Sequence, residues 1–402
     1  MRNRITLTAL GVGVSGLLLF LFGIGTPSIG ILDEEAYVLG ARSLLTGTQD
    51  WNPAHPPLAK FLIAAGMKVA GDTALGWRFA GAILGALTLV AIFLWAYLLL
   101  RDYMLSLTAA ALTLFNNFLF VMSRVAMLDV FYFAFVMWAV LAFSAALLLE
   151  TTVARRRALI VASGVLFGLG GACKWNAVVT LAGVGLLTVI LYIRNSHHLR
   201  EVRVTTLAVS LLFVPLATYV LAYWPLCYRF HMEFSAATLV ALTKFIWLYH
   251  KTCPGNPALD VHWYLWFFRT SPERGLSYLM GNWVVAWLGL FALAVCIWKF
   301  LRSLATSEWA LAEGMVILFY AVNLLQWVII PQKRLVYYYY FPPAMFLSVA
   351  IAIVLKRYQS PRVFGIRVSL LLVAAAAVFF MYCYPRMAGL EAPYDCMFGC
   401  WV

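Results

Sequence analysis

A chain of 402 residues that is 64% hydrophobic and only 11% charged, with a mean hydropathy of +0.90, departs far from soluble domains, in which about 25% of residues are charged. That composition excludes an ordinary soluble protein and specifies a polytopic helical membrane protein. The net charge of +13 does not point to nucleic acid, because the basic residues sit on short links between apolar runs rather than on a soluble domain.

A hydropathy window of about 19 residues predicts eleven transmembrane helices, at 5 to 24, 78 to 100, 103 to 121, 126 to 149, 158 to 173, 176 to 193, 203 to 224, 282 to 300, 310 to 330, 335 to 355 and 366 to 384. The expected fold is all-α, a single integral membrane domain over 1–402, with two long exterior loops at 25–77 and 225–281. The first apolar run can cross a hydrocarbon core of about 30 Å. It is too long for a removed signal peptide and lacks a clean small-residue cleavage site, so it reads as a retained helix. With Met1 in the cytoplasm, the basic links Arg155-Arg156-Arg157, Arg194 to Arg203, Lys299 to Arg302 and Lys356 to Arg367 all fall on the cytoplasmic side, as the positive-inside rule demands.

After the first run, Thr26-Pro27-Ser28 and Gly30 turn the chain, and Asp33-Glu34-Glu35 follow at once. Carboxylates this close to a bilayer are costly unless used; the plain alternative is that they decorate the exit of an anchor helix. Asn52-Pro53 and Pro56-Pro57 are expected to forbid regular helix up to that point, with Pro57 well placed to begin one. From Leu58 to Lys68 apolar residues recur at helical spacing, predicting an interfacial helix whose Lys60 and Lys68 reach the headgroups. His55, at its start, can meet a carboxylate or an anionic ligand, or simply brace a turn.

Arg124 and Asp129 open the fourth span, at a separation that does not pair them on one helix face. Asp129 is expected to enter the bundle, where a carboxylate is paired or functional, beneath Arg124, a planar anion ligand. Lys174 closes the next exterior turn above Gly168, Gly170 and Gly171, which allow close helix packing. The second loop holds an amphipathic stretch, Ala236 to Tyr249, then His250 and the aromatic run His262 to Phe268. Those rings suit either the interface belt or a platform for a sugar. Lys333-Arg334, followed by four tyrosines, is a pair of cations suited to phosphate.

On this topology Asp33, Glu34, His55, Arg124, Asp129, Lys174, His250, His262, Lys333 and Arg334 all reach the exterior face. Each alone has a structural reading, since an Arg or Lys at a helix end commonly snorkels. Together they predict one site. Few charges fall at mid-span, where a transporter would need them. No metal motif such as HExxH is present, and no cofactor is expected. Cys173 and Cys296 read as packing residues, while Cys396 and Cys400 can pair with each other or with Cys253.

The order Asp33-Glu34, then His55-Pro56-Pro57-Leu58-Ala59-Lys60, then Arg124 with Met127-Leu128-Asp129, then Cys173-Lys174-Trp175 resembles the protein O-mannosyltransferase family in its bacterial form. That family typically writes the second motif HPPLGK, so Ala59 departs by one small residue. The resemblance continues through Tyr249-His250, Trp266 to Pro272, Gly281-Asn282 with Trp287, and Arg334 to Pro342. Trp283 stands where the family usually has Pro, and Tyr339 where eukaryotic members often have His. The soluble domain that eukaryotic members insert in the second loop has no room here.

The resemblance implies a GT-C-like glycosyltransferase that moves a sugar, most commonly mannose, from a polyprenyl phosphate to Ser or Thr hydroxyls of exported proteins, with inversion. It implies a plasma-membrane enzyme acting at the exterior face, with a lipid-linked donor, an exported protein or peptide acceptor, and membrane lipids as its partners. Asp33 is then the general base and Glu34 positions the acceptor. Arg124, Lys174, Lys333 and Arg334 stabilise the leaving phosphate, supported by His55, Lys60, Asp129 and His250. The alternatives are a transferase using the same donor on a glycolipid or cell-wall acceptor, and a lipid-linked sugar flippase.

Overall fold

The computed structural model describes residues 2–50, 52–194, 196, 199, 202–252, 262–267, 279–305, 309–329, 335–359 and 361–390. Helix α1 (Arg2–Leu21) is followed by α2 (Glu34–Thr46) and α3 (Leu58–Ala70) in the first loop, and by the long α4 (Ala74–Leu100). Next come α5 (Tyr103–Leu114) and α6 (Asn117–Ser123), bent by 61°, then α7 (Leu128–Leu148), α8 (Val153–Cys173) and α9 (Ala177–Ile193). One span, Val204–Arg229, contains α10 (Val204–Ala208), a π-helical turn at Val209–Phe213, α11 (Val214–Leu221) and α12 (Trp224–Arg229). The second loop forms α13 (Ala236–Thr252), and α14 (Trp283–Ser303), α15 (Leu311–Ile329), α16 (Phe341–Arg357) and α17 (Val368–Met387) follow.

Among the described residues, nine helices are long and apolar enough to cross a bilayer, ten with the bent α5–α6 pair counted as one crossing. The chain is thus a multi-pass helical membrane protein. The expected span at 176 to 193 is the 17-residue α9, at the short limit for a crossing. The bend in the third span has a local cause: the Asn116 side chain accepts from Phe118 N at 3.1 Å and starts a new helix there, a competition with the ladder that Asn readily wins.

One expectation changes. The first loop carries regular helix ahead of its prolines, because those residues act only on the connector into α3. In α2, Tyr37, Val38, Ala41 and Leu44 form a buried stripe at helical spacing. Glu34 and Glu35 favour its first turn, and Gly47 ends it in the left-handed region at φ 75° with its N–H on Ser43 O, a conformation glycine adopts without cost. The fold class is all-helical as expected, with one short hairpin between α16 and α17, where β1 (Arg362–Val363) pairs antiparallel with β2 (Ile366–Arg367). Phe364 and Gly365, both at positive φ, form the tight turn between them.

The chain divides into two compact units. One comprises 1–32, 85–124 and 256–402, with α16 at its centre against α5, α14 and α15. That helix is buried almost all round, the mark of a core helix. Asn282 ties three chain segments there, capping α14 with its Oδ1 while its Nδ2 donates to Phe115 O and Ala376 O at 2.9 Å. The tyrosine run is largely packed: Tyr337, Tyr338 and Tyr340 are buried, and Tyr339 stacks on Trp327 with centroids 4.1 Å apart. Trp266 is likewise buried, beside Trp327 and Tyr340.

The other unit, 33–84 and 125–255, is built on α7 and α8, with α11 against α8. A Cβ on Gly164 would lie 2.0 Å from Ser210 O, and one on Gly168 2.6 Å from Pro215 O, so only glycine permits this approach. Pro215 supplies no N–H to the helix ladder, and the π-turn just before it absorbs the mismatch. In the first loop α2 packs on α3, and Gly40 leaves room for the Lys60 stem.

Candidate active site

The site begins at the start of α2. Leu32 takes φ 55°, uncommon for a residue with a branched side chain, and the chain then enters the helix at Asp33. Asp33 is exposed, and its side chain does not cap the helix it begins. The neighbouring Glu34 is fully buried. Its carboxylate accepts from Arg78 Nε and Nη2 at 2.9 and 2.8 Å and from Ala126 N at 2.8 Å. Asp33 directly precedes the helix, so fixing Glu34 inward anchors the backbone that presents it.

Asp129, in the first turn of α7, and Lys174, the residue that closes α8, form a buried ion pair at 2.8 and 2.9 Å. The expectation that Asp129 enters the bundle and is paired there is met by Lys174. Asp33 is within electrostatic reach of Asp129, and Lys174 within reach of His55 and His250. Acid, ion pair and imidazoles all belong to one unit.

The His55 ring lies between Tyr37, 5.6 Å away between centroids, and His250, 4.9 Å away. His250 donates from Nε2 to the Ala54 carbonyl at 3.1 Å, which braces the His55 turn from α13. Burial, with the charges of Lys174, His250 and Lys60, pushes the His55 imidazole well below its ordinary value of 6.5. Burial and Lys174 lower His250 as well. Both rings are thus held neutral at physiological pH.

Lys60 does not reach for headgroups. It is 1% exposed and donates to Asp50 at 2.9 and 3.3 Å and to the Asn52 carbonyl. Burial lowers its pKa and Asp50 opposes that shift. The pair joins the connector before the prolines to α3, while Lys68 remains exposed.

Arg124 belongs to the other unit. Its Nη1 donates to Phe20 O at 2.9 Å and to Phe22 O, and its Nη2 to Gly23 O at 2.9 Å. These are carbonyls at the C-terminal end of α1, where a cation complements both the unpaired oxygens and the helix dipole. His262 is in that unit too, stacked on Tyr264. Lys333 and Arg334 lie outside the described residues, as do Cys253, Cys396 and Cys400. Cys173 and Cys296 are buried free thiols. Arg78 and Asp50, partners of Glu34 and Lys60, are the site residues not anticipated. Arg78 opens an apolar run and reads as an ordinary helix-end cation; full burial of a charge is the signal, and a sequence does not display it.

Residues 63–227 match the family described as Dolichyl-phosphate-mannose-protein mannosyltransferase. The chain is 26% identical to the polyprenol-phosphate-mannose–protein mannosyltransferase of Mycolicibacterium smegmatis over 91% of its own length and 85% of the relative's. Among solved structures it resembles the protein O-mannosyltransferase complex of S. cerevisiae bound to its sugar donor. The TM-score is 0.83 at 13% identity, covering 97% of this chain and 91% of that one. It also resembles apo ArnT from Cupriavidus metallidurans, with a TM-score of 0.61 at 15% identity over 96% and 76% of the two chains.

Proposed function

From the premise that the chain belongs to the protein O-mannosyltransferase family, we propose that it transfers mannose from a polyprenyl-phosphate donor to Ser or Thr hydroxyls of exported proteins, as one membrane domain. The single observation that carries the chemistry is the division of labour between Asp33 and Glu34: one carboxylate exposed, its neighbour locked to Arg78.

In this reading Asp33 takes the proton of the acceptor hydroxyl. The acceptor oxygen forms a bond to the anomeric carbon as the bond from that carbon to the phosphate oxygen breaks, and inversion follows from attack opposite the leaving group. The electron pair leaves on the polyprenyl phosphate. Lys174 stabilises it, held by Asp129 so that the ammonium is in place before charge develops. Glu34 with Arg78, rather than contacting the acceptor as its motif position suggests, holds Asp33 in register. His55 and His250, both neutral, wall the cluster without adding charge.

Arg124 enters this scheme through its hold on the end of α1, which favours a positioning role over direct phosphate binding. Lys333 and Arg334 keep the phosphate-binding role that the sequence suggests for them. The basic links Arg155-Arg156-Arg157 and Lys356-Arg357 support a cytoplasmic N-terminus, and with it a site on the exterior face of the plasma membrane.

Polyprenyl-phosphate mannose carrying a radiolabel on the sugar tests the proposal in membranes containing the chain. The label moves to protein if the reading is right. Label moving to lipid, or crossing the membrane on its original carrier, overturns it in favour of a glycolipid transferase or a flippase.

A further inference from the structure

A cavity lies at the far end of α2 from Asp33. Its volume is about 540 Å³, within the range of ligand sites, about 300–1,000 Å³. Leu44 and Leu45 of α2, with Phe61, Ala64 and Ala65 of α3, supply apolar walls. Lys68 of α3 and Arg229 at the end of α12 supply two cations at its edge, and none of the described lining residues is acidic. Trp224 and Tyr228, which also line it, are 55% and 75% exposed and stacked with centroids 5.8 Å apart.

Arg229 is fixed in place. Its Nε donates to Leu44 O at 2.6 Å and its Nη2 to Leu45 O. Gly47 makes the space, since a Cβ there would lie 2.9 Å from the guanidinium carbon. Because Arg229 ends the span Val204–Arg229, its guanidinium belongs at headgroup depth, the layer in which exposed Trp and Tyr concentrate. We infer that this groove binds an anionic phospholipid, with an acyl chain against the α2 and α3 walls and the phosphate between Lys68 and Arg229.

Apolar walls under a cationic rim match the amphiphilic charge pattern of such a lipid and suit neither a free sugar nor a polar peptide. The donor lipid is not the occupant: Leu44 lies eleven positions along from Asp33, about 16 Å at 1.5 Å per residue, too far for its phosphate to serve the Asp33 cluster. The bound lipid instead wedges α3 against the end of α12, and so steadies the first loop.

The test measures lipid binding and not sugar transfer, so it stands apart from the assignment of the active site. The full-length protein in detergent is titrated with phosphatidylglycerol, phosphatidylcholine and polyprenyl phosphate and followed by native mass spectrometry. Phosphatidylglycerol should be retained in preference to phosphatidylcholine. Lys68→Glu should weaken it about ten-fold, in keeping with loss of one charge-assisted contact, and Ala65→Trp should remove it by filling the groove. Melting temperature checks that both variants fold, and Lys68→Gln replaces Lys68→Glu if the reversal does not. Equal retention of the two phospholipids, or wild-type affinity in the folded variants, overturns the inference. So does polyprenyl phosphate outcompeting phosphatidylglycerol and losing affinity in the same variants, which would give the groove to the donor or product lipid.

Discussion

Glu34 and Arg78 form a bidentate ion pair at 2.8 and 2.9 Å with both side chains fully buried, joining the start of α2 to the start of α4 across 44 positions of sequence. A buried pair of this kind adds little over an apolar substitute, but losing one partner strands a charge. Glu34→Ala and Arg78→Ala should each therefore destabilise the protein by about 3–5 kcal/mol, read as a lower melting temperature in detergent. The double variant should cost clearly less than the two single losses added together.

Lys174 and Asp129 allow stability to be separated from function. Lys174→Ala alone should lower the melting temperature, by leaving Asp129 buried and unpaired, and should weaken donor binding. Combining Lys174→Met with Asp129→Leu should recover most of the stability while donor binding stays impaired, by a factor corresponding to about 1.5–3 kcal/mol for one charged contact. Isothermal titration with the lipid-linked sugar reads the binding. Recovery of both properties together would make Lys174 a structural cation only.

The His55 site gives a pH dependence of definite sign. The unfolded chain protonates this imidazole near its ordinary value of about 6.5, whereas the native site keeps it neutral to well below that value. Below about pH 6.5 the unfolded state therefore binds the extra proton, and stability falls as pH drops toward the native value. The contribution is fully present above about pH 6.5. His250, lowered by burial, acts in the same direction. Melting temperatures taken downward from pH 7.5 should show a slope that His55→Gln reduces and His55→Gln with His250→Gln reduces further.

Much of this was legible in the sequence, for identifiable reasons. Spans are visible because each apolar run is long and nearly free of charge, and Asp129 and Lys174 stood out as charges at their ends. The helix of residues 34–46 was obscured by the prolines that follow it, although its Tyr37, Val38, Ala41, Leu44 stripe was present. Without that helix the inward direction of Glu34 could not be derived, and Arg78 had no visible partner. Lys60 was misjudged for a related reason: on α3 alone it lies on a face that α2 covers. Arg124 reads from the sequence as an anion ligand opening the fourth span, whereas it ends α6 and the carbonyls it meets belong to α1, about a hundred positions away.

Sidedness is tested by chemical labelling. In a background lacking the native cysteines, Cys at the exposed Gln49 should react with a membrane-impermeant thiol reagent in intact cells. Cys at the exposed Arg155 should react only after permeabilisation, because basic links stay cytoplasmic. The reverse pattern would place Asp33 and Lys174 in the cytoplasm and end the reading of exported acceptors.

The most direct measurement is the transfer rate of Asp33→Asn at saturating donor. This substitution keeps size and helix start, and Asp33 makes no capping bond that it would remove. The general-base account predicts a folded protein with wild-type donor affinity and a transfer rate lower by about 10²-fold or more. A folded variant that transfers mannose within a factor of about two of wild type, where the base is expected to contribute at least about 10², would contradict it.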